Sequence, residues 1–182
     1  SYALSVIPLF VLMGLVLAQA ALGRDLYRFL DALLWRVRGG LALATIGASS
    51  AFATVSGSAT ASASTMSLVA MPEMRRYDYD EGLGAACIAV GGTLGSLIPP
   101  SAVLVLYGIL TEESIGALLI GGILPGVLTT VLLMLTAYLL VRRRPALAPS
   151  VRDHTDRAPI HRLILRVWSV PAIFGLSIGG IY

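Results

Sequence analysis

GGLALATIGASSAFATVSGSATASASTMSLVAMP, residues 39–72, runs for 34 residues without a charge. As a single helix it would reach about 51 Å at 1.5 Å per residue, whereas the hydrocarbon core of a bilayer is about 30 Å thick. Its centre, Ser56-Gly57-Ser58-Ala59-Thr60, supplies a turn. Glycine permits the reversal, and hydroxyls satisfy backbone groups that lipid cannot. The stretch is therefore expected to be a re-entrant helical hairpin, with arms of about 15 residues and a polar tip near the bilayer midplane.

The surrounding sequence supports a membrane setting. Of the 182 residues, 57% are hydrophobic and only 13% charged, against about 25% charged in an ordinary soluble domain. The charges fall in four islands that leave residues 1–23, 39–72, 82–111, 114–141 and 167–182 uncharged. This excludes a soluble enzyme and a disordered tail and predicts an all-α integral membrane protein. All 13 basic residues are arginine and none lies inside an uncharged stretch, so the net charge of +3 reports membrane-flanking loops rather than a nucleic-acid surface. Cys87 is alone and cannot form a disulfide within the chain.

Outward from the hairpin, residues 24–38 carry Leu26, Phe29, Leu30, Leu33, Leu34 and Val37 at helical spacing between arginines. They predict an amphipathic helix lying in the interface, with Tyr27 and Trp35 at headgroup level, or one packed flat against other subunits. Residues 82–111 are long enough to span, but Gly91, Gly92, Thr93 and Gly95, followed by Pro99 and Pro100, interrupt them. Two prolines remove two backbone donors, which predicts half-helices over about 82–92 and 101–110 with an extended linker, the break falling near 92–100. Residues 1–23 and 114–141 read as spanning helices, 142–160 as a cytoplasmic linker, and 161–182 as the start of a further span. The chain opens inside an apolar segment without Met and stops inside another, and so reads as a fragment. The positive-inside rule places the islands around Arg24–Arg38, Arg75–Arg76 and Arg142–Arg166 in the cytoplasm and Glu112–Glu113 outside. The two glutamates are expected to cap the helix that follows them.

The two interruptions are where chemistry could lie. Hydroxyls of Ser56, Ser58, Thr60, Thr93, Ser96 and Ser101, with carbonyls around Gly57, Gly92 and Gly95, suit a hard cation and an anionic solute. Helix N-termini directed into the gap would stabilise a carboxylate without any arginine. The alternative is packing alone, since Gly91 with Gly95 and Gly122 with Gly126 fit the small-xxx-small pattern of membrane helix contacts. The uncharged stretches contain no ionisable Asp, Glu, His, Lys or Arg, which favours sodium over proton coupling. His154 and His161 read as solvated rather than metal ligands, and no nucleophile–base pair, phosphate loop or dinucleotide fingerprint is present, so no enzyme is expected.

The runs Ser56-Gly57-Ser58-Ala59-Thr60, Met71-Pro72-Glu73-Met74-Arg75-Arg76, Gly91-Gly92-Thr93-Leu94-Gly95-Ser96-Leu97-Ile98-Pro99-Pro100-Ser101 and Gly122-Ile123-Leu124-Pro125-Gly126, in this order, resemble the large membrane subunit of TRAP transporters, the DctM-like family. The resemblance implies an elevator-type secondary transporter of the bacterial inner membrane, multi-pass, taking up organic acids such as C4-dicarboxylates with sodium. It implies as partners a small four-helix membrane subunit and a periplasmic solute-binding protein. It places sodium at Ser56, Gly57, Ser58, Gly92, Thr93 and Pro99 and leaves Thr60, Gly95, Ser96 and Ser101 for the substrate. It also implies that residues 24–38 form the arm between scaffold and transport domain. The chain would hold one inverted repeat of two, with no cofactor beyond the coupling ion. Two other readings stand beside it: an elevator-type sodium/anion symporter without a binding protein, and a non-transporting scaffold whose Ser/Gly tracts only pack helices.

Overall fold

The computed structural model describes residues 22–99 and 101–148, and the expected spans over 1–23 and 161–182 lie largely or wholly outside them. The described residues form α1 (Leu22–Leu34), α2 (Gly40–Ser56), α3 (Ala59–Arg76), α4 (Glu81–Thr93), a 3-10 turn at Leu94–Ser96, α5 (Ala102–Thr111), α6 (Ile115–Arg143) and a second 3-10 turn at Pro145–Leu147. Helix α2 is the hub, packed against α1, α3, α4, α6 and the first 3-10 turn. Residues 39–46 and 48–50 are all buried, as an uncharged helix apolar on every side requires.

Helices α2 and α3 are antiparallel. The Ser62 hydroxyl donates to the Ser49 carbonyl at 3.0 Å, and Thr45 Oγ1 lies 3.7 Å from Met74 Sδ, so pairs ever farther apart in sequence meet along the two arms. Helix α2 stops because Gly57 is left-handed, φ 59° and ψ 11°, with its N–H on the Ala53 carbonyl. Helix α3 starts because Ser58 is extended and its hydroxyl accepts from the Ala61 N–H. At 17 and 18 residues the arms extend about 25–27 Å. Helix α3 runs past Pro72 to Arg76. The proline is exposed and lies within the last five residues of the helix, and the chain turns only at Tyr77–Asp80, where Asp78 is left-handed at φ 53°. The Asp80 carboxylate then accepts from the Leu83 N–H at 2.8 Å and starts α4.

Helix α1 differs from the expected 24–38. It ends at Leu34, and a turn over 35–39 leads to Gly39, whose φ of 75° no side chain adopts without strain. Its inner face is Gly23, Leu26 and Tyr27, with Leu30 and Leu34 beside them. Tyr27 is 2% exposed, in the core rather than at headgroup level, because its helical position is the one that meets α2 and α3 of the same chain. Trp35 stays half-buried with the Arg36 guanidinium 4.9 Å above its ring.

At the far end α5 folds back on α6, with Glu112 left-handed at φ 57°. Ser114, not the glutamates, caps α6 by accepting from the Ala117 N–H. Helix α6 has 29 residues, is apolar and long enough to cross a membrane, and leaves Leu124, Val127, Leu128, Val131, Leu132 and Leu135 about half or more exposed. After it, residues 145–148 do not leave as a free linker. The Asp80 N–H donates to the Leu147 carbonyl at 3.1 Å and Ala148 is fully buried. The start of α2, the turn between α3 and α4, and the end of α6 thus share one end of the bundle.

Backbone contact at small residues sets this packing. A Cβ on Gly126 would lie 2.7 Å from Ile98 Cγ1, whereas one on Gly121 would meet nothing within 4 Å. Gly126→Val should therefore destabilise the full-length protein in detergent by about 1–3 kcal/mol. Gly121→Val should be near neutral, apart from a small helix-propensity change. Thermal unfolding of the two variants side by side checks the difference.

Candidate functional site

The hairpin tip and the break in the second element meet. The 3-10 turn Leu94–Ser96 packs against the end of α2 and the start of α3. A Cβ on Gly95 would lie 3.0–3.2 Å from the carbonyl carbon and oxygen of Ser58 and the nitrogen of Ala59. One on Gly92 would lie 3.0 Å from Ala63 Cβ and 3.2 Å from the Ala59 carbonyl. Both contacts involve backbone, which cannot swing away as a side chain can, so only glycine allows the two interruptions this close. Gly91, one turn before Gly95, stands against Ser49 of α2, whose buried hydroxyl has no hydrogen-bond partner among the described residues.

The break is compact rather than extended. Leu97 and Ile98 donate their N–H groups to the Leu94 carbonyl, and Ser101 is extended, φ −112° and ψ 125°. The second face of the break belongs to α6, where a Cβ on Gly122 would lie 3.1 Å from the Leu97 carbonyl oxygen and 3.3 Å from Pro99 Cγ, and Gly126 receives Ile98. Pro99 is thus buried against α6.

Hydroxyls replace the helical bonds that the break removes. Thr93 Oγ1 donates to the Val90 carbonyl at 2.7 Å, Ser96 Oγ to the Thr93 carbonyl at 2.8 Å, and Ser101 Oγ to the Ser96 carbonyl at 2.7 Å. In lipid each such carbonyl would otherwise be unsatisfied at a cost of several kcal/mol. Committing the proton to a carbonyl has a chemical consequence: the oxygen that remains can only accept. Thr93 and Ser96 are exposed, so their lone pairs are open to a cation. Ser101 is fully buried and also accepts from the Leu104 N–H, so it holds the linker.

The tip is arranged differently. Ser56 is buried, with its hydroxyl 3.3 Å from the Ser58 carbonyl. Ser58 Oγ and Thr60 Oγ1 lie 3.1 Å apart, either able to be the donor, and Thr60 is exposed. This pair, at the N-terminus of an 18-residue helix, can offer an O–H beside the positive end of the helix dipole, the environment a carboxylate prefers. Among the described residues no cluster of His, Cys, Asp or Glu could hold a metal ion, so a cation at this junction would take hydroxyl and carbonyl oxygens.

Of the residues singled out from sequence, Ser56, Gly57, Ser58, Thr60, Gly92, Thr93, Gly95 and Ser96 are brought to one junction, whereas Pro99 and Ser101 form its support toward α6. The Ser62–Ser49 crosslink, the Ala59 backbone and the fit of Ile98 on Gly126 were not anticipated. The four-residue spacing of Gly122 and Gly126 was the only signal for the last.

Comparison with known proteins adds a family match and three relatives. The family model described as the DctM component of the tripartite ATP-independent periplasmic transporter matches residues 1–182. The chain is similar to the C4-dicarboxylate TRAP transporter large permease protein DctM of Pseudomonas aeruginosa, 36% identical over all of this chain and 42% of the relative. It is also similar to the isethionate TRAP transporter permease protein DctMQ of Oleidesulfovibrio alaskensis, 36% identical over all of this chain and 28% of that protein. The sialic acid TRAP transporter permease protein SiaT of Haemophilus influenzae is 33% identical over 79% of this chain and 23% of its own length. The chain thus spans well under half the length of the curated relatives it matches.

The junction can be probed through Gly95. Gly95→Ala drives a methyl onto the Ser58–Ala59 peptide, and the tip must shift away from the break. A loss of about 1–3 kcal/mol is expected in thermal unfolding of the full-length protein. Stability equal to wild type would mean that the tip and the break do not touch.

Proposed function

The chain belongs to the DctM family of tripartite ATP-independent periplasmic transporters, and on that premise we propose that it forms the first hairpin and broken helix of a sodium-coupled permease for organic anions. The observation that carries the reading is the Ser58–Gly95 contact, which joins two interruptions of membrane helices into one junction of hydroxyls and carbonyls. Irregular backbone at bilayer depth is tolerated where protein or an aqueous cavity covers it, and ion and solute sites of secondary transporters are built at such breaks.

The ion and the solute divide the junction by hydrogen-bonding capacity. Sodium takes oxygens whose protons are committed elsewhere, Thr93 first, together with Ser56, Ser58 and the backbone around Gly57 and Gly92. Ser58 joins the cation side by donating to Thr60, and the solute's acid group takes the remaining Thr60 O–H and the start of α3. On this geometry Ser96 is an acceptor and joins the cation side, while Ser101 and Pro99 hold the break in place. The names of the three relatives specify C4-dicarboxylate, isethionate and sialic acid, all organic anions, so the anion class supports the reading and the individual solute does not follow from it. The remaining parts of the machine in this proposal are a second repeat, a small membrane subunit and a periplasmic binding protein, with the transport domain moving as an elevator. The protein is read as a permease and not an enzyme.

In this reading the hairpin enters and leaves the bilayer on the cytoplasmic side. Arms of 17 and 18 residues, about 25–27 Å long, carry the tip past the middle of a hydrocarbon core about 30 Å thick, rather than to it. Helix α6 gives the same depth, since Gly122 and Gly126, which hold the break, lie 15–19 residues from Val141 at the common base, about 22–28 Å along its axis.

Two experiments test the proposal. In proteoliposomes containing the full transporter, Thr93→Ala and Ser58→Ala should raise the sodium concentration for half-maximal uptake severalfold, with normal insertion. Ser114→Ala, which also removes a helix cap costing about 1 kcal/mol, should leave sodium activation unchanged. Unaltered sodium dependence in both tip and break variants would leave only a packing role. For topology, single cysteines replacing Arg38 and Arg76 on a Cys87→Ser background should react with an impermeant thiol reagent from one side and a cysteine replacing Glu113 from the other. The three labelling positions Arg38, Arg76 and Glu113 are exposed, whereas Cys87 is buried.

A further inference from the structure

The base of the bundle carries a surface that the transport reading does not use. Arg36 and Arg38 precede α2, and Arg142, Arg143 and Arg144 end α6; all five are exposed. The fold brings the two groups together, because buried Gly39 lies against Val141, with a Cβ at Gly39 only 3.1 Å from both valine methyls. Arg38 and Arg142 are the sequence neighbours of that contact. No Asp or Glu occurs in residues 35–39 or 140–148, whereas Arg75, at the other corner of the same end, is paired with Glu81 at 3.0 Å. The face of α6 leading to the arginines is aliphatic and uncovered, with Leu135, Leu139 and Leu140 exposed at 49%, 45% and 40%. Trp35, with Arg36 over its ring, lies on the same turn as Arg38 and has the character of an interfacial anchor.

An uncovered aliphatic strip that ends in clustered guanidinium groups matches a ligand with two parts, an acyl chain and a phosphodiester. A soluble phosphate would use only the second. Guanidinium forks donate paired N–H groups to phosphate oxygens, and basic sites at the ends of membrane helices are where anionic headgroups bind. We propose that Arg38 and Arg142–Arg144 form a binding site for an anionic phospholipid, with its headgroup bridging the loop before α2 and the end of α6 and its acyl chains along Leu135, Leu139 and Leu140. The bound lipid clamps the base of the hairpin to α6. This rests on the chain lying in a membrane and not on the sodium or solute assignments.

The test uses the full-length protein in neutral detergent, with native mass spectrometry and thermal unfolding in the presence of cardiolipin, phosphatidylcholine or inorganic pyrophosphate. Cardiolipin should be retained and should raise the unfolding temperature; phosphatidylcholine and pyrophosphate should do neither. Arg38→Gln and the triple variant Arg142→Gln, Arg143→Gln, Arg144→Gln should weaken cardiolipin binding about fivefold per arginine removed. The corresponding lysine variants should retain most of it, and Arg75→Gln should change it less than twofold. Equal binding of cardiolipin and phosphatidylcholine by the wild type overturns the proposal without recourse to any variant. Stabilisation by pyrophosphate equal to that by cardiolipin, or wild-type affinity in both glutamine variants, also overturns it.

Discussion

Everything in this fold depends on how closely bare backbone can approach backbone. Between helices in lipid there is little to gain from hiding leucine, because the surrounding chains are as apolar as the side chain itself; van der Waals fit and interhelical hydrogen bonds decide. The glycines stand at those approaches: Gly91 on Ser49, Gly92 and Gly95 on the Ser58–Ala63 segment, Gly122 and Gly126 on Leu97–Pro99. Removing the side chain lets α2 pack within a shell of four helices, and it lets two irregular segments share one junction.

The reading of these residues as packing elements and the reading of them as a site are therefore compatible. Hydroxyls that repair an interrupted helix have spent their protons, and that leaves a set of oxygens with acceptor character only. At Thr93 and Ser96 the structural task prepares the chemical one. The tip retains a hydroxyl pair with a proton to offer at the start of a long helix. The proposed function assigns a cation and an anion to these two adjacent regions of unlike hydrogen-bonding character.

Much of this was legible because it rests on length and on glycine. Thirty-four uncharged residues cannot be one membrane helix, and Gly57 is the residue among them at which a left-handed turn was cheapest. The family resemblance was legible in the order of the Ser-Gly and Gly-Pro motifs. What local sequence could not provide was partnership. Tyr27 has the chemistry of an interfacial residue and becomes a core residue because α2 and α3 lie over it. Pro72 closes the uncharged stretch, yet α3 continues past it to Arg76. The break reads as extended, whereas backbone bonds from Leu97 and Ile98 to the Leu94 carbonyl wind Leu94–Ser96 into a 3-10 turn, with the Ser96 hydroxyl on the Thr93 carbonyl. Which residues hold ion or solute depends on hydrogen-bond commitments that no spacing encodes.

The short turn after α6 has a mechanical meaning. Through the Leu147 carbonyl it is bonded to the Asp80 N–H at the corner between α3 and α4, while Val141 rests on Gly39 at the foot of α2. The hairpin, the broken helix and the lower half of α6 are stitched at the foot and again at the break, like a beam pinned at two heights. Such a part is stiff against bending between the pins. Any large displacement during a working cycle must then carry it as a block. Helix α1, whose Leu26 and Tyr27 are buried against α2 and α3, is held to the same block through its inner face.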